Sequence, residues 1–317
     1  DLAGWVERVA PDAAVDRLGH LAVAHSHPRW VVAELDRALG DRAGELPELL
    51  AADNSPPDVV LVARPGRSDR SELPGRPTPL SPYGVRLEEG DPGTVAAVAE
   101  GRAGVQDEGS QLVAVATAAA PLVGRDERWL DLCAGPGGKA ALLAALASER
   151  GARLVANDVQ SHRADLVRRA LAGAAGVEEV TAYDGRQPPW EAGSFDRVLV
   201  DAPCSGLGAL RRRPEARWRR QPGDLADLVP LQRALLGSAL DLVRPGGAVL
   251  YATCTPVLAE TAEVVDAVLV ERQDAVLEPL ATDVADAAGP LPGTVQLWPH
   301  RHATDAMFLA LVRRSAG

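Results

Sequence analysis

The chain has 317 residues, of which 46% are apolar and 24% charged, and its formal net charge is −11. This composition excludes bulk disorder, and no apolar run reaches the roughly 20 residues that a membrane-spanning helix needs. Three cysteines exclude a disulfide framework, and no secretory leader is recognised. We therefore predict a cytoplasmic protein of about two domains that does not bind a membrane.

The first third of the sequence predicts a smaller α+β module. Residues 1–18 have the pattern of one short amphipathic helix, and a second helix is predicted over 29–39 behind Pro28, which has no N–H to lose at a helix start. The other predicted elements are strands over 58–63, 85–87 and 103–105, with a Pro/Gly/Arg-rich loop over 64–82. We divide the chain into a helix at 1–18, a small module at 19–105 and a larger domain at 106–317.

Beyond that module, predicted strands and helices alternate. The predicted helices are 109–120, the segment from the glycine-rich turn to residue 150, 161–172, 224–242 and 258–270. The predicted strands are 129–133, 153–157, 179–183, 195–200 and 248–252, followed by a hairpin of 295–297 and 307–312. This alternation predicts an α/β fold, a doubly wound, mainly parallel Rossmann-like sheet with an antiparallel C-terminal hairpin. Ligands of such sheets bind beyond the carboxyl ends of the strands.

A glycine-rich turn follows the first strand of this sheet, in the sequence Asp-Leu-Cys-Ala-Gly-Pro-Gly-Gly-Lys over 131–139. Glycines let the backbone approach a ligand closely, and the N–H groups of the next helix favour negative or lone-pair-bearing ligand atoms. The turn also fits the dinucleotide pattern G-x-G-x-x-A, which by itself is a weak signal. Lys139 is the only lysine among 33 basic residues, and we expect it to bind a carboxylate of a cofactor or of a neighbouring aspartate.

Aspartates stand at the ends of four successive predicted strands, at Asp131, Asp158, Asp184 and Asp201. One such aspartate is as often a helix cap as a ligand, but four together favour a cofactor that carries an adenosine and is cationic at its reacting centre. S-adenosylmethionine has this chemistry, whereas so many acids repel the pyrophosphate of a nicotinamide dinucleotide. The histidine pairs at 25/27 and 300/302 have no cysteine nearby, so we predict no metal.

Two cysteines follow neighbouring predicted strands: Cys204 in Asp-Ala-Pro-Cys-Ser-Gly-Leu-Gly and Cys254 in Ala-Thr-Cys-Thr-Pro. Parallel neighbours lie about 4.8 Å apart, so we expect both thiols to open onto one cleft. A thiolate attacks electron-poor carbon, but a free cysteine has a pKa of about 8.5 and needs nearby cations to ionise at neutral pH. The third cysteine, Cys133, is interpreted as a small buried apolar residue.

A basic segment follows the Cys204 motif, with six arginines and one tryptophan between 211 and 220. Most charge runs are solvated surface, but in a chain with this net charge the segment favours contact with nucleic-acid phosphates and bases. The candidate RNA-binding residues are Arg211, Arg212, Arg213, Arg217 and Trp218, the last as a platform for base stacking.

Three of these motifs, at 131–139, 201–208 and 252–255, resemble those of RNA cytosine-C5 methyltransferases of the Sun or RsmB type. The arginine segment, 105–111 and Asp-Ala-Met-Phe at 305–308 are similar as well, so that the resemblance runs from about residue 20 to 313. His-Ser-His-Pro-Arg-Trp at 25–30 resembles the bacterial enzyme for 16S rRNA, which carries a helical NusB-like RNA-binding domain in front. The resemblance implies that 1–18 is the last helix of that domain, most of which is lacking, and that 19–105 is an RNA-binding-like module.

The resemblance implies S-adenosylmethionine-dependent methylation of a cytosine in rRNA. Cys254 would add to carbon 6, Asp201 would stabilise the charge near ring nitrogen 3, and Cys204 would assist loss of the carbon-5 proton. The implied cofactor contacts are Cys133, Ala134, Gly135, Pro136, Gly137, Gly138, Lys139, Asp158, Asp184 and Asp201. Two positions depart from the family pattern, because Thr255 replaces Ser and Gly135 replaces a common Ala; we expect both changes to be tolerated.

Two other functions remain open from the residues alone: a nicotinamide-dependent Rossmann oxidoreductase and a non-catalytic RNA-binding assembly factor. The first gives no task to Cys204, Cys254 or the arginines, and the second leaves Cys254 and Asp201 unexplained. For the methyltransferase, the target cytosine must be unpaired or flipped out, because a thiolate cannot reach a base inside a duplex. Nothing in the sequence demands more than a monomer.

Overall fold

The computed structural model describes residues 2–315. Its helices are α1 (Leu2–Val9), α2 (Arg17–Ala24), α3 (Arg29–Leu39), α4 (Leu46–Asp53), α5 (Ala96–Ala99), α6 (Glu108–Ala119), α7 (Gly138–Glu149), α8 (Ser161–Ala170), α9 (Ala216–Arg219), α10 (Asp224–Leu242), α11 (Ala262–Glu271) and α12 (Pro299–His302). Its strands are β1 (Val60–Ala63), β2 (Arg76–Pro77), β3 (Gly84–Arg86), β4 (Ala103–Val105), β5 (Arg128–Asp131), β6 (Arg153–Asn157), β7 (Val177–Thr181), β8 (Phe195–Asp201), β9 (Val243–Thr253), β10 (Ala275–Glu278), β11 (Val295–Gln296) and β12 (Phe308–Arg314). Within this described part, no helix is both long and apolar enough to cross a membrane.

The larger sheet has the strand order β10-β12-β9-β8-β5-β6-β7. The strands from β9 to β7 in this order run parallel, while β12 pairs antiparallel with β9, β10 and β11. The predicted Rossmann-like sheet and its antiparallel C-terminal hairpin are therefore confirmed. The edge strand β10 is an addition that the sequence analysis does not predict.

Helices cover both faces of this sheet, which explains why its central strands are continuous apolar runs. Side chains of α6 and α7 pack with Trp129 and Leu199 in one cluster, and side chains of α10 and α11 pack with Leu130 and Val198 in another. Every residue of α7 from Ala140 to Ala147 is buried. Because alanine side chains are small, the helix lies close to the sheet. Its N-terminus follows the glycine-rich turn at the carboxyl end of β5.

The N-terminal third adds a smaller antiparallel sheet with the order β2-β3-β1-β4 and the helical layer of α2, α3 and α4. The apolar sides of these three helices pack against Leu207, Leu210, Val257 and Trp298. Leu207 and Leu210 follow β8, and Val257 follows β9. The N-terminal helices therefore support the loops at the carboxyl ends of the strands, where a ligand is expected.

The single helix predicted over 1–18 is wrong, because the chain forms two helices there. The first ends at Val9, two residues before Pro11, which disfavours helical backbone in the residue before it. The second begins after Asp16, whose side chain caps it by accepting a hydrogen bond from Gly19 N at 3.0 Å. A further difference lies at β9, which begins at Val243 directly after α10 and runs through the Arg-Pro-Gly-Gly segment.

Candidate active site

The two cysteine loops meet at the carboxyl ends of β8 and β9. These strands are parallel neighbours, with Asp201 opposite Ala252, as the sequence predicts. The Sγ atoms of Cys204 and Cys254 lie 3.4 Å apart, within hydrogen-bonding distance for sulfur, and both residues are half-buried. The structure thus places both thiols in one cleft.

The two thiols differ in their electrostatic surroundings. The hydrogen bond from the Cys204 thiol lowers the pKa of Cys254, and the charge of Lys139 acts in the same direction against burial and Asp201. The same thiol–thiol contact, together with burial and the negative charge of Glu260, raises the pKa of Cys204 well above its ordinary value. The Cys254 thiol therefore loses its proton more readily than the Cys204 thiol.

Lys139 connects the glycine-rich turn to this pair. It is the second residue of α7, and its Nζ lies 2.9 Å from Oδ2 of Asp201. Burial alone would lower the pKa of Lys139, but the charge and hydrogen bond of Asp201 raise it above its usual range. The expected bond between the only lysine and a neighbouring aspartate is confirmed, and it places a permanent positive charge beside the thiolate.

The glycine-rich turn is held by Asp158, which follows β6. Its Oδ2 accepts a hydrogen bond from Gly135 N at 3.1 Å and lies 3.2 Å from Arg163 Nε. A Cβ atom on Gly135 would lie 2.3 Å from that oxygen. The expectation that Gly is tolerated in place of the common Ala at position 135 agrees with this arrangement, because the Asp158 carboxylate occupies the space that the methyl group of an alanine would need.

The acids at the strand ends do not form one cluster. Asp131 is fully buried, and neither of its carboxylate oxygens has a hydrogen-bond donor in normal geometry among the described residues. Burial, together with Asp201, raises the pKa of Asp131 to about 8. Asp184, by contrast, is turned toward Arg186, whose Nη2 lies 2.6 Å away and whose hydrogen bonds lower the pKa of Asp184 to about 2.

These groups fit a cofactor with a positively charged centre and several donors. The carboxylates of Asp158 and Asp201 follow two strands that end at the same edge of the sheet, and the buried Asp131 is close enough to both for their charges to raise its pKa. Cys133, within the turn, packs against the core cluster, and burial raises its pKa well above the ordinary value, so it stays an uncharged thiol. It is an apolar wall of the site, as the sequence suggests.

The arginine segment divides into buried and exposed parts. Arg217 is only 3% exposed and donates to Asn54 Oδ1 at 2.6 Å and to the carbonyl of Asp53 at 3.1 Å. Arg211, whose side chain is 8% exposed, lies 3.5 Å from Asp107 and 3.6 Å from Asp305. The structure does not place these two side chains on an RNA-facing surface, because they are almost fully buried and bind acceptors inside the protein.

The other three candidates are accessible. Arg212 is paired with Asp305 but has a side chain 40% exposed. Burial lowers the pKa of Arg212, but the hydrogen bond and charge of Asp305 raise it above its ordinary value, with smaller contributions from Asp107 and Cys254. Arg213 and Trp218 are exposed, Trp218 at 57%. Of the five candidate residues, these three are therefore the accessible ones, and Arg212 is close enough to Cys254 for the two side chains to interact electrostatically.

Glu260 is a site residue that the sequence analysis misses. It is completely buried, and its carboxylate accepts hydrogen bonds from the backbone and hydroxyl of Ser205, the residue after Cys204. An acidic residue at the start of a predicted helix carries no local signal of burial, because the loops that bury it come from distant parts of the chain.

The chain is similar to known proteins over most of its length. Residues 120–313, more than half of the chain, match the family model of the 16S rRNA methyltransferase RsmB/F. A Mycobacterium tuberculosis protein named as a candidate methyltransferase is 53% identical over an alignment of 320 positions, which covers 99% of this chain and 69% of that protein. A Bacillus subtilis protein assigned as ribosomal RNA small subunit methyltransferase B is 34% identical over 96% of this chain and 70% of its own length.

A solved structure is similar over nearly the same range. The crystal structure of the protein PH0851 is 28% identical and superposes with a TM-score of 0.84, covering 94% of this chain and 68% of that one. The family model and the relatives together cover the glycine-rich turn, both cysteine loops and the arginine segment. The chain belongs to the 16S rRNA methyltransferase RsmB/F family.

Proposed function

We propose that this protein transfers a methyl group from S-adenosylmethionine to carbon 5 of a cytosine in rRNA, with 16S rRNA as the substrate, through a covalent bond between Cys254 and carbon 6 of the base. The observation that carries the proposal is the 3.4 Å contact between the Sγ atoms of Cys204 and Cys254 at the strand end that bears the Lys139–Asp201 pair. The family match argues against the oxidoreductase alternative.

The cofactor, when bound, supplies an electrophilic methyl group. The backbone of the glycine-rich turn would lie against it, and the carboxylates of Asp131 and Asp158 would offer acceptors for its donors. A side chain on Gly137 would meet Ala170 at 2.6 Å, so the turn lies against α8 on one side and leaves the other side to the cofactor. Asp184 joins this set only if it leaves Arg186.

The thiolate of Cys254 adds to carbon 6 of the base, forming an S–C bond while the electron pair of the 5,6 double bond moves into the ring. Asp201 would meet the edge of the base near ring nitrogen 3, and the positive charge of its partner Lys139 would offset the negative charge that develops there. Carbon 5 is then nucleophilic enough to accept the methyl group. A preorganised ion pair at the place where charge develops is the usual means of lowering such a barrier.

Cys204 completes the cycle. Once the Cys254 sulfur is bonded to carbon it no longer carries a negative charge, so Cys204 can release its thiol proton to water. The Cys204 thiolate then takes the proton from carbon 5, the S–C6 bond breaks, and its electron pair leaves with Cys254 as thiolate. One proton is released overall, and the pair returns to its starting state.

Single substitutions of the two cysteines test the proposal. We expect the wild-type protein to methylate 16S rRNA from cells that lack the gene, with the modified cytosine located by bisulfite sequencing. Cys204→Ala should accumulate a covalent protein–RNA adduct, seen as a slow band on a denaturing gel, because release is impaired. Cys254→Ala should give neither methylation nor adduct.

Other outcomes would contradict the proposal in distinct ways. An adduct in Cys254→Ala and none in Cys204→Ala would mean that the two roles are exchanged. Full methylation by Cys254→Ala would reject covalent catalysis. RNA binding without any methylation by the wild-type protein would favour the non-catalytic assembly factor.

A further inference from the structure

Glu260 occupies an unusual position for an acidic side chain. It ends the short turn between β9 and α11 and has no exposed surface. Among the described residues no cation forms an ion pair with it, so hydrogen bonds alone must offset the cost of burying its carboxylate. Its oxygens accept from Ser205 N at 2.7 Å, from the Ser205 hydroxyl, and from Gln232 Nε2 at 3.0 Å.

These bonds join the elements that carry the two thiols. Gln232, in α10, also donates to the carbonyl of Pro203 at 2.9 Å, so the residues on both sides of Cys204 are tied to one network. The Ser205 Oγ lies 3.0 Å from Oγ1 of Thr255, the residue after Cys254. The network therefore determines how far the Cys204 loop stands from the Cys254 loop.

We propose that Glu260 is a positioning residue for the proposed methyl transfer: it holds the Cys204 loop against the Cys254 loop and so determines which of the two thiols attacks the base. The inference rests on the proposed function, because it assigns a task to Glu260 within that reaction. A buried carboxylate that only filled space would be replaceable by an apolar residue at little cost, whereas this one binds three donors on two elements.

The charges around the pair are consistent with this task. Lys139 faces Cys254, while the carboxylate of Glu260 lies on the Cys204 side and contributes to the raised pKa of Cys204, after the thiol–thiol hydrogen bond and burial. The charge of Asp201 raises the pKa of both thiols, and the charge of Asp305 raises the pKa of Cys254. The cation thus lies on the side of the sulfur whose pKa is lowered, and the anion on the side of the sulfur whose pKa is raised.

Arg220 supports the same loop from the outer side. Its guanidinium donates to the carbonyls of Cys204 at 3.2 Å and Ser205 at 3.0 Å. The backbone of the Cys204 loop is thus fixed from both sides, by carbonyls toward Arg220 and by the Ser205 N–H toward Glu260. If the contact with Glu260 is lost, the contact with Arg220 remains, so we expect the Cys204 loop to shift without unfolding.

Glu260→Gln tests the inference because it keeps the shape and removes the charge. The first measurement needs no RNA: iodoacetamide alkylates thiolates with loss of iodide, and mass spectrometry gives the ratio of modified Cys204 to modified Cys254. We expect labelling of the wild-type protein mainly at Cys254 and at least a fivefold rise of the Cys204 share in Glu260→Gln. The second measurement is single-turnover methylation of 16S rRNA, which should slow at least tenfold while S-adenosylhomocysteine binding changes less than twofold.

Glu271→Gln is the matched control, since Glu271 ends α11, the helix that follows Glu260, and lies on the exposed surface. It should leave labelling, methylation and melting temperature unchanged. If Glu260→Gln fails to fold, Ser205→Ala keeps the carboxylate but removes the hydroxyl that links both loops, and should change the labelling ratio in the same direction by a smaller factor.

The outcomes separate this inference from the proposed function. Equal labelling ratios and equal methylation rates in Glu260→Gln and Glu271→Gln would overturn the role of Glu260. Loss of cofactor binding in parallel with methylation, at an unchanged labelling ratio, would make Glu260 a structural residue only and also overturn it. A wild-type protein that does not methylate cytosine would refute the proposed function, while the labelling ratio would still test whether Glu260 positions the Cys204 loop.

Discussion

At the scale of single residues, the cleft contains more carboxylates than cations. Lys139 pairs directly with Asp201, which leaves the buried Asp131 without an ion-pair partner among the described residues. A charge so placed is costly, and burial, with Asp201 adding to it, raises the pKa of Asp131 to about 8. Asp131 is therefore uncharged at neutral pH in the cofactor-free protein and can act as a hydrogen-bond donor as well as an acceptor.

This raised pKa predicts a loss of stability with rising pH. The unfolded chain releases the Asp131 proton near the ordinary aspartate pKa of about 3.9, whereas the folded chain keeps it to about 8. Between these values the folded state binds more protons, so the free energy of unfolding falls as the pH rises. Asp131→Asn removes this dependence, and its melting temperature relative to wild type should rise by roughly 3 °C or more between about pH 5 and about pH 8.5.

The control for this measurement is Asp184→Asn. The pKa of Asp184 is lowered to about 2 by its hydrogen bonds with Arg186, so its proton is absent from both states over the same pH interval. Its effect on the melting temperature should be the same at both ends of the interval. A constant difference for Asp131→Asn as well would mean that Asp131 is ionised in the folded protein.

At the scale of secondary-structure elements, the glycines of the glycine-rich turn differ in how much space the structure leaves for a side chain. Gly137 has a φ of +113° and precedes α7, and a Cβ atom there would lie 2.6 Å from Ala170 Cβ and 3.1 Å from Val167 Cα, both in α8. Gly138, the first residue of α7, has ordinary backbone, and its nearest neighbour to a Cβ atom would be Gln106 at 3.9 Å. Gly137 and Gly138 are adjacent but therefore differ in how well they tolerate a side chain.

Alanine substitutions separate these two cases. Gly137→Ala combines a strained backbone with contact against a neighbouring helix and should destabilise the protein by about 2 kcal/mol or more. Gly138→Ala should leave stability unchanged or raise it by up to about 1 kcal/mol, because alanine favours helix. Urea unfolding of both variants gives the comparison, and equal destabilisation by both would contradict the difference in packing.

Elements with strong local signals are predicted well from the sequence. The bounds of α3, β6 and α10 agree with the prediction, because Pro28 starts the first, a short apolar run marks the second, and Arg-Pro-Gly-Gly ends the third. Elements that depend on distant partners are not: α4 and β10 have no distinctive pattern of their own. β9 begins five residues earlier than predicted because β8 pairs with its start, Phe195 lying opposite Val243.

The candidate site likewise contains contacts that local motifs predict and contacts that depend on distant parts of the chain. The motifs predict the neighbouring thiols and the Lys139–Asp201 bond, since strand order alone brings them together. They do not predict the buried Glu260, nor that Arg217 points inward. Both depend on contacts between loops and helices separated by tens to hundreds of positions in the chain.

At the scale of the whole molecule, Arg217 connects the N-terminal helices to the catalytic sheet. Its guanidinium donates to Asn54 Oδ1, to the carbonyl of Asp53 and, at 3.3 Å, to the carbonyl of Ser26. Asp53 lies behind it, with burial raising its pKa and the charge of Arg217 opposing that rise. The exposed Arg213 and Trp218 flank this anchor, so the N-terminal helices hold the proposed RNA surface in position.

Because Arg217 is buried and Arg213 is exposed, we expect substitutions of these two arginines to change different properties: the stability of the protein for Arg217 and its binding to RNA for Arg213. Arg217→Met leaves buried acceptors without a donor and should lower the free energy of unfolding by at least about 2 kcal/mol. Arg213→Ala removes an exposed charge that has no acidic partner among the described residues, and should not change stability. Because each phosphate contact adds about one counterion to the salt dependence of binding, Arg213→Ala should weaken RNA binding and reduce the slope of log K against log salt by about one.

Thermal unfolding and RNA titrations at several salt concentrations measure the two effects separately. In a chain with a net charge of −11, long-range attraction to RNA is absent, so binding must depend on such local cations. If Arg213→Ala leaves the salt slope unchanged, the RNA lies elsewhere on the molecule. If Arg217→Met retains wild-type stability but reduces the slope, Arg217 leaves its buried site to reach a phosphate, and the anchor between the N-terminal helices and the sheet depends on the apolar contacts of α2, α3 and α4 alone.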